Sequence, residues 1–313
     1  MINSIIKNSL KITLLLLFPI SASYAAEYLT FFLAGQSNMD GYGYGYVSDL
    51  PASLKKQQNV MIFHGNGVFD NQANGGVGKW ATLRSGHGTG FNSDGINNTY
   101  SKRFGAELSF ASTLTKQLPG KNIALIKYAV GGTGLHLNTG YSNWSPDFRD
   151  GDAQNQYDFA LNTIRNAYAN KDIDGDGEID TLTPVGIIWM QGEADAHASE
   201  ASANAYFTNL TRMMSLFRAA LRQDDIPVVI GKITDSGLGE EDIMPYIKRV
   251  HLAQQQFVEQ DICASYMAKT DNYPYNEKDA WHYLSEGFID MGKDFAMAFI
   301  ELSNKCKQNV VDN

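Results

Sequence analysis

The sequence contains no run of lysine or arginine residues and no basic patch. Its 25 basic and 34 acidic side chains give a formal net charge of −9 at pH 7. Nucleic acids and anionic membranes attract proteins through clustered positive charge, so we expect neither as a partner. A neutral ligand such as a sugar does not conflict with the negative charge.

Long apolar runs are missing after the N-terminus, so no later segment is expected to cross a membrane. The one apolar run, 12–20, follows two lysines and precedes the small residues Ser23 and Ala25. Charged, apolar and small-residue regions in this order predict a signal peptide, residues 1–25. Cleavage would place the mature protein in the periplasm or outside the cell. The alternative is an uncleaved membrane anchor.

Cysteine is scarce, and Cys263 and Cys306 are the two in the sequence. A secreted protein can form and keep disulfides, and one bridge here would tie the last helix to a strand. Sequence spacing does not show whether the two Cα atoms are close enough to be bridged. A disulfide and two separate buried thiols both remain open.

The mature chain, residues 26–313, has no internal repeat and no low-complexity linker, which favours a single domain. Residues 64–100, rich in glycine, asparagine and serine, are predicted to form a long loop. The predicted strands are 28–34, 60–63, 123–130, 185–190, 226–233 and 262–267. The predicted helices are 104–118, 157–168, 206–221, 243–258 and 285–302.

Strands that alternate with helices predict an α/β fold, with a central parallel sheet of about five strands and helices on both faces. Ligands bind such a sheet beyond the carboxyl ends of its strands. Four groups of candidate catalytic residues follow four different predicted strands. We therefore expect the fold to gather them in one crevice.

A serine that could act as a nucleophile follows the first predicted strand. Ser37 lies in the segment 35–39, GQSNM, where the glycine lets the chain turn and expose the hydroxyl above the sheet. The segment is not the G-x-S-x-G elbow of the α/β-hydrolases. Taken alone, a serine in such a turn more often caps a helix.

Asp279 and His282 could supply the base that a serine nucleophile needs. They follow the last predicted strand, and their three-residue offset lets the carboxylate hold the imidazole Nδ1–H while Nε2 takes the serine proton. The alternative is that Asp279 caps the last helix. Acyl transfer also needs donors for an oxyanion, and the turns at Gly131-Gly132 and at Gln191 offer backbone and side-chain N–H groups. Their alternatives are a tight turn and a capping amide.

The order of the segments GQSNM, FGAELSFA, AVGGTGL, IIWMQGEAD and DAWHYLSEG resembles the SGNH hydrolases. More narrowly, it resembles carbohydrate esterase family six and the sialate O-acetylesterases. The similarity runs from about Leu29 to about Gly292, and GQSNM and WMQGEAD are its most specific segments. The resemblance implies a three-layer flavodoxin-like fold, no catalytic metal, and acetylated carbohydrate as substrate.

Carried over from the family, Ser37 is the nucleophile, and Asp279 and His282 complete the triad. The implied oxyanion donors are the N–H groups of Ser37 and Gly131 and the side chain of Gln191, with Gly132 as an alternative to Gly131. Glu193 is expected to support the nucleophile loop through Asn38 rather than to react. The alternative for Glu193 is a solvated loop carboxylate.

An acidic loop, DIDGDGEID at residues 172–180, matches the first part of a calcium-binding loop. Position twelve is Thr183 rather than a bidentate glutamate, and a strand follows, so this is not a complete EF-hand. The expected ligands are the side chains of Asp172, Asp174 and Asp176, the carbonyl of Glu178, and Asp180 through water. A structural calcium ion is expected, and the alternative is a solvated acidic turn.

The signal peptide, the candidate catalytic residues and the resemblance together imply a secreted serine esterase that removes O-acetyl groups from carbohydrate through an acetyl-Ser37 intermediate. The tyrosines of residues 41–46 either stack on sugar rings or pack locally, and Trp281 would form another wall of the cleft. Two rivals stay open. One is a lipolytic or thioester-cleaving SGNH hydrolase, which would need an apolar acyl channel. The other is a non-catalytic, calcium-dependent carbohydrate-binding protein.

Overall fold

The computed structural model describes residues 25–45, 50–148, 153–239 and 242–311. The predicted signal peptide therefore lies outside the described residues except for Ala25. None of the helices within these ranges has the length and apolar character needed to span a bilayer. The cleavage site and the single domain that begins after it stay predictions.

In these ranges, seven strands form one sheet that is covered by five long helices. The strands are β1 (Glu27–Gly35), β2 (Lys56–His64), β3 (Trp80–Arg84), β4 (Asn122–Ala129), β5 (Thr181–Met190), β6 (Val228–Gly231) and β7 (Ala264–Met267). The helices are α1 (Glu107–Gln117), α2 (Gln156–Ala169), α3 (Glu200–Ala220), α4 (Ile247–Gln260) and α5 (Ser285–Val311). Short helices cover Ser37–Asp40, Ala52–Lys55 and Glu193–Ala198, and a 3-10 turn covers Lys269–Asn272.

The strand order across the sheet is β7-β6-β5-β1-β4-β2-β3. Every neighbouring pair is parallel except β2 and β3. The chain starts in the middle, adds strands on one side of β1 and then on the other, so the sheet is doubly wound. The predicted α/β fold is confirmed, with seven strands rather than about five.

The loop predicted for residues 64–100 was wrong at β3, which pairs antiparallel with β2 at the edge of the sheet. Trp80 anchors this strand, because its indole N–H donates to the carbonyl of Ala167 and its ring packs against Phe63. Five residues between glycine-rich segments are too few to show a period. The burial of Trp80 comes from tertiary packing that local sequence does not reveal.

Two adjacent phenylalanines on β1 explain why helices cover both faces of the sheet. Phe31 makes edge contacts with Phe110 of α1 and Phe299 of α5, whereas Phe32 makes one with Phe217 of α3. Successive strand residues point to opposite faces, so α1 and α5 lie on one face and α3 on the other. Burying each ring contributes about 1.5–3 kcal/mol, which holds the three layers together.

The two cysteines are joined in a disulfide. The Cα atoms of Cys263 and Cys306 are 5.0 Å apart, and the bridge links the start of β7 to α5. Of the two arrangements that the sequence left open, the structure has the bridge. The bridge fastens the last helix to an edge strand of the sheet. It stabilises the fold mainly because the cross-link limits the conformations open to the unfolded chain.

Candidate active site

The register of β1, β4 and β5 brings the ends of these three strands, and the candidate loops that follow them, to the same edge of the sheet. Gly35, the last residue of β1, pairs with Met190 on β5 and with Ala129 on β4. The backbone of Gly35 has φ +150°, and a Cβ there would lie 2.0 Å from the Met190 carbonyl oxygen, so glycine is required. The segments that begin at Gln36, Val130 and Gln191 therefore leave the sheet side by side.

Ser37 opens the one-turn helix Ser37–Asp40 and lines a pocket of about 740 Å³. Gly131 lies against it, because a Cβ on Gly131 would be 3.3 Å from the Ser37 Cβ. In the described part of the chain, neither the Ser37 N–H nor the Gly131 N–H donates to a backbone carbonyl. Two N–H groups are thus available beside the serine hydroxyl. Gly132 also lines the pocket, beside the Tyr141 ring, so it stays the alternative to Gly131 as a donor.

Asp279 and His282 form a hydrogen-bonded pair that borders the same pocket. The Nδ1 of His282 is 2.7 Å from a carboxylate oxygen of Asp279, and His282 lines the pocket with Ser37. Residues Asp279–Tyr283 form a short strand and α5 begins at Ser285, so Asp279 does not cap the last helix. An Nδ1–H held by the carboxylate leaves Nε2 unprotonated and able to accept a proton.

The pKa of His282 is shifted by its burial and by the charges of two neighbours, Asp279 and Arg103. Burial lowers the pKa of His282 most, the hydrogen bond and charge of Asp279 raise it, and the charge of Arg103 lowers it. The balance lies below the ordinary value, so the imidazole is neutral at neutral pH. A neutral imidazole is the form that can act as a base.

Tyr42 supports the histidine from its flat side. The two rings are stacked with centroids 3.5 Å apart and planes 2° from parallel. The Arg103 guanidinium lies 4.4 Å from the Tyr42 centroid and 4.6 Å from that of Tyr44. Of the tyrosines that the sequence singled out, Tyr42 therefore packs in the site, Tyr44 is half exposed, and Tyr46 lies outside the described residues.

The expectation that Gln191 donates to an oxyanion was wrong. Its side chain is fully buried, does not line the pocket, and donates from Nε2 to the Thr133 carbonyl at 3.0 Å and to Asp195 at 2.8 Å. Its Oε1 accepts from the Tyr206 hydroxyl at 3.0 Å. Both amide hydrogens are therefore committed inside the protein.

Gln36 lies where the sequence placed Gln191. It lines the pocket next to Ser37, and its Oε1 accepts from the N–H groups of Ala194 at 3.2 Å and Gly192 at 3.5 Å. The Nε2 of Gln191 is also 3.4 Å from this oxygen. Because Oε1 faces the Gly192 loop, Nε2 is the amide atom that is left for the pocket. Gln191 thus supports Gln36 through the contact of its Nε2 with Gln36 Oε1.

Asn38 and Glu193 are in contact, as the sequence suggested. The amide of Asn38 donates to Glu193 Oε1 at 2.8 Å and to the carbonyl of Trp281 at 3.2 Å. These bonds connect the nucleophile loop to the loops that follow β5 and precede α5. Burial raises the pKa of Glu193 to about 7. Glu193 is therefore a buried support, not a solvated loop carboxylate.

The rest of the pocket combines aromatic and polar walls. Phe69, half exposed, and Tyr141, 85% exposed, stand at its wall with Trp281. Asp40 and Thr89 form a polar wall, where the threonine hydroxyl donates to the carboxylate at 2.6 Å. Other described lining residues include His64, Gly67, Gly90, Phe91, Val130 and His197.

Sequence reasoning missed Gln36, Asp40, His64 and Tyr141. Gln36 directly precedes Ser37 and Asp40 follows it by three residues, and this closeness to a nucleophile was a usable signal. His64, at the end of β2, and Tyr141, in a loop, carry no pattern that sets them apart. They reach the pocket only because of the strand order and of a turn that packs Tyr141 on Gly132.

The acidic loop folds partly as the calcium motif requires. Carboxylate oxygens of Asp172, Asp174 and Asp176 lie within 4.8 Å of one another. Asp180 was wrongly included, because it is buried and its two oxygens accept the N–H groups of Ala26 and Ile173, each at 3.0 Å. It clamps the loop to the start of β1. The carbonyl of Glu178 and calcium itself stay predictions.

The fold thus places Ser37 beyond β1 of a doubly wound sheet and a carboxylate-bound histidine before the last helix. The model of one family, described as carbohydrate esterase, sialic acid-specific acetylesterase, matches residues 27–301. The chain belongs to this family, which confirms the resemblance inferred from the sequence. It is therefore a carbohydrate acetylesterase, a carboxylic ester hydrolase.

Solved structures show the same fold at low identity. A protein from Arabidopsis thaliana is 19% identical with a TM-score of 0.60, over 89% of this chain and 99% of that one. A carbohydrate acetylesterase from Xanthomonas citri is 15% identical with a TM-score of 0.58, over 88% of this chain and 56% of that one. NanS is 16% identical with a TM-score of 0.56, over 90% and 99%. No curated protein sequence matches significantly.

Proposed function

We propose that the enzyme removes O-acetyl groups from carbohydrate through an acetyl-Ser37 intermediate. The observation that carries the proposal is the convergence of three groups on one pocket. These groups are the Ser37 hydroxyl, the neutral His282 held by Asp279, and the unbonded N–H of Gly131. A nucleophile, an oriented base and oxyanion donors are together the machinery of acyl transfer.

In the first half-reaction, His282 Nε2 takes the Ser37 proton as Oγ attacks the acetyl carbonyl carbon. The oxyanion accepts hydrogen bonds from the N–H groups of Ser37 and Gly131 and from Gln36 Nε2. The C–O bond to the sugar then breaks, and the sugar oxygen takes the proton from His282. Asp279 keeps the imidazole oriented and stabilises its charged form.

In the second half-reaction, water attacks the acetyl-enzyme and gives a proton to His282. Collapse of the second tetrahedral intermediate releases acetic acid, which ionises to acetate in solution, and the histidine returns its proton to Ser37. Each step uses the same donors. No group outside this pocket is needed to balance protons.

The composition of the pocket supports a sugar ester over a long-chain lipid ester. Asp40, Thr89 and His64 put polar atoms on its wall, and an apolar acyl channel would lack them. Phe69 and Tyr141 offer exposed ring faces, which suit the flat apolar faces of sugars. The family also favours catalysis over a binding protein without activity. The mature protein is proposed to act in the periplasm or outside the cell.

Acetate release tests the proposal. The purified enzyme and its Ser37→Ala variant are incubated with acetylated xylan, O-acetylated sialic acid and p-nitrophenyl acetate. We expect the wild type to release acetate and Ser37→Ala to lose at least about 1000-fold in rate while its fold, checked by circular dichroism, is kept. Equal rates for the two proteins would exclude Ser37 as nucleophile.

A further inference from the structure

Two aromatic side chains at the pocket wall are exposed, although the loops that carry them are held in place by hydrogen bonds. The exposed fraction is 85% for Tyr141 and 50% for Phe69. Both side chains line the pocket that holds Ser37. Exposed apolar side chains that are grouped beside a pocket are typical of a ligand-binding groove. The acyl-transfer steps use neither ring.

The loop that carries Tyr141 is closed at its base by two backbone hydrogen bonds. The N–H of Tyr141 donates to the carbonyl of Gly132 at 2.7 Å, and that of Trp144 donates to the carbonyl of Gly134 at 2.9 Å. The buried carboxylate of Asp195 accepts two further N–H groups of the same loop, at 2.9 and 3.0 Å. The backbone of Tyr141 is therefore fixed, and little freedom has to be lost when a ligand stacks on the ring.

Polar contacts tie the Phe69 loop to the Tyr141 loop. The backbone N–H of Asp70 donates to the Ser142 hydroxyl at 3.1 Å, and the Asp70 carboxylate accepts the N–H of Asn143 at 2.8 Å. Asp70 directly follows Phe69, and Ser142 directly follows Tyr141. The two exposed rings therefore belong to neighbouring segments at the wall of the pocket, and together they are named the aromatic rim.

The aromatic rim begins beside the candidate oxyanion donors. A Cβ on Gly131 would lie 3.3 Å from the Ser37 Cβ, and a Cβ on Gly132 would lie 2.5 Å from the Tyr141 ring. The nucleophile, the two glycines and the tyrosine thus follow one another along the pocket wall. A sugar ester that binds along this wall, with its carbonyl carbon at Ser37, brings its sugar part onto the tyrosine ring.

We propose that Phe69 and Tyr141 form a sugar-binding subsite, in which their rings stack on the sugar residues next to the ester. This inference rests on the proposed function, and it assigns to the aromatic rim the selection of sugar esters over esters of simple alcohols. The C–H face of a sugar ring packs on an aromatic face and removes both from water. Stacking of this kind is equally strong in the ground state and the transition state, so it acts on KM.

Relative kcat/KM values for sugar esters and a simple ester test the inference. The sugar esters are an acetylated xylo-oligosaccharide and an O-acetylated sialic acid, and the simple ester is ethyl acetate, whose leaving group has no ring. For each sugar ester that the wild type hydrolyses, we expect Tyr141→Ala to lower the ratio to ethyl acetate roughly tenfold, mainly through KM. Phe69→Ala should lower it in the same direction.

Two control variants separate the ring from other effects. Tyr141→Phe keeps the ring and should keep most of the ratio. Leu252→Ala removes an exposed apolar side chain of α4 that does not line the pocket, and it should leave the ratio unchanged. The rings of the aromatic rim are exposed, so the alanine variants should keep their fold, which circular dichroism checks.

Inhibition by the deacetylated sugar gives a second measurement that is independent of the chemical step. The product of each hydrolysed sugar ester should compete with ethyl acetate, and Tyr141→Ala should raise its inhibition constant. Ratios and inhibition constants that neither alanine variant changes would overturn the inference and leave the proposed function intact. Wild-type hydrolysis of ethyl acetate without hydrolysis of either sugar ester would exclude the sugar-binding subsite. A wild type that is inactive on every ester would overturn the proposed function and the inference with it.

Discussion

Tyr42 and His282 lie ring on ring, 3.5 Å apart and parallel to within 2°. Asp279 fixes the imidazole in its own plane by a hydrogen bond to Nδ1, and Tyr42 fixes it perpendicular to that plane. Two contacts at right angles leave the ring little freedom to tilt or rotate. The direction of Nε2, on which proton transfer from Ser37 depends, is set by both.

Loss of the Tyr42 ring should therefore slow the chemical step. We expect Tyr42→Ala to lower kcat by roughly 10- to 100-fold, since a small misplacement of a catalytic group has that cost. Tyr42→Phe keeps the stacked ring and should retain most of kcat. Tyr44→Ala is a matched control, because Tyr44 contacts Arg103 but not the histidine. Steady-state kinetics on p-nitrophenyl acetate give the answer, and a normal kcat for Tyr42→Ala would refute the positioning role.

Arg103 should add to the effect of burial on the acidic limit of activity. His282 must be neutral to act as base, so activity is lost as the pH falls through its lowered pKa, below 6.5. The charge of Arg103 contributes to that lowering. Arg103→Met should therefore raise the pKa and move the acid limb of kcat/KM to higher pH. A pH–rate profile from pH 4 to 8 measures it, and a shift toward lower pH would contradict the sign.

The sheet and the catalytic loops were predictable because they depend on local patterns. Apolar runs alternate with helical periodicity, and GQSNM and DAWH follow predicted strands. Gln191 was assigned the wrong role because family position does not show which way a side chain points. Its amide is taken up by Thr133 and Asp195, contacts between loops that follow different strands. Only the three-dimensional arrangement shows that Gln36, and not Gln191, lines the pocket.

Gln36 should contribute to catalysis and Gln191 chiefly to its support. Loss of one oxyanion donor costs about 100- to 1000-fold in kcat, so Gln36→Ala should fall in that range with little change in KM. Gln191→Ala removes the amide that contacts Gln36 and one donor to the buried Asp195, which keeps the N–H groups of Leu135 and His136. We expect it to lower thermal stability as well as kcat. Kinetics with melting curves separate the two, and full kcat in Gln36→Ala would contradict the assignment.

Glu193 should make the protein less stable as the pH rises. Burial raises its pKa from 4.5 to about 7 in the fold, so the native state holds a proton that the unfolded chain has released. That contribution is complete below pH 4.5 and is lost as the pH passes about 7, by roughly 3 kcal/mol. Asp40 and Asp195, raised from 3.8 to about 6, act with the same sign at lower pH.

Glu193→Gln isolates this effect, because a glutamine oxygen can still accept from Asn38 and carries no charge. Urea unfolding near pH 5 and near pH 8 should show a smaller fall in the free energy of unfolding for the variant than for the wild type. An identical fall in both proteins would mean that Glu193 does not titrate in this range. Asp40 and Asp195 are present in both proteins, so the difference between the two falls reports Glu193 together with its charge interaction with Asp195.

Calcium should stabilise the loop that leads into β5. Three carboxylates within 4.8 Å repel one another, and a divalent cation would offset that repulsion. At a calcium concentration about 100 times its dissociation constant, binding adds about 2.7 kcal/mol, which corresponds to a rise in Tm of about 5 °C. Melting curves with calcium, with magnesium and with a chelator test this, and Asp172→Asn should abolish the calcium response. A Tm that calcium does not change would identify the loop as a solvated acidic turn. Its conformation would then rest on the N–H groups of Gly175 and Gly177 bound to Asp172, and on the Asp180 clamp.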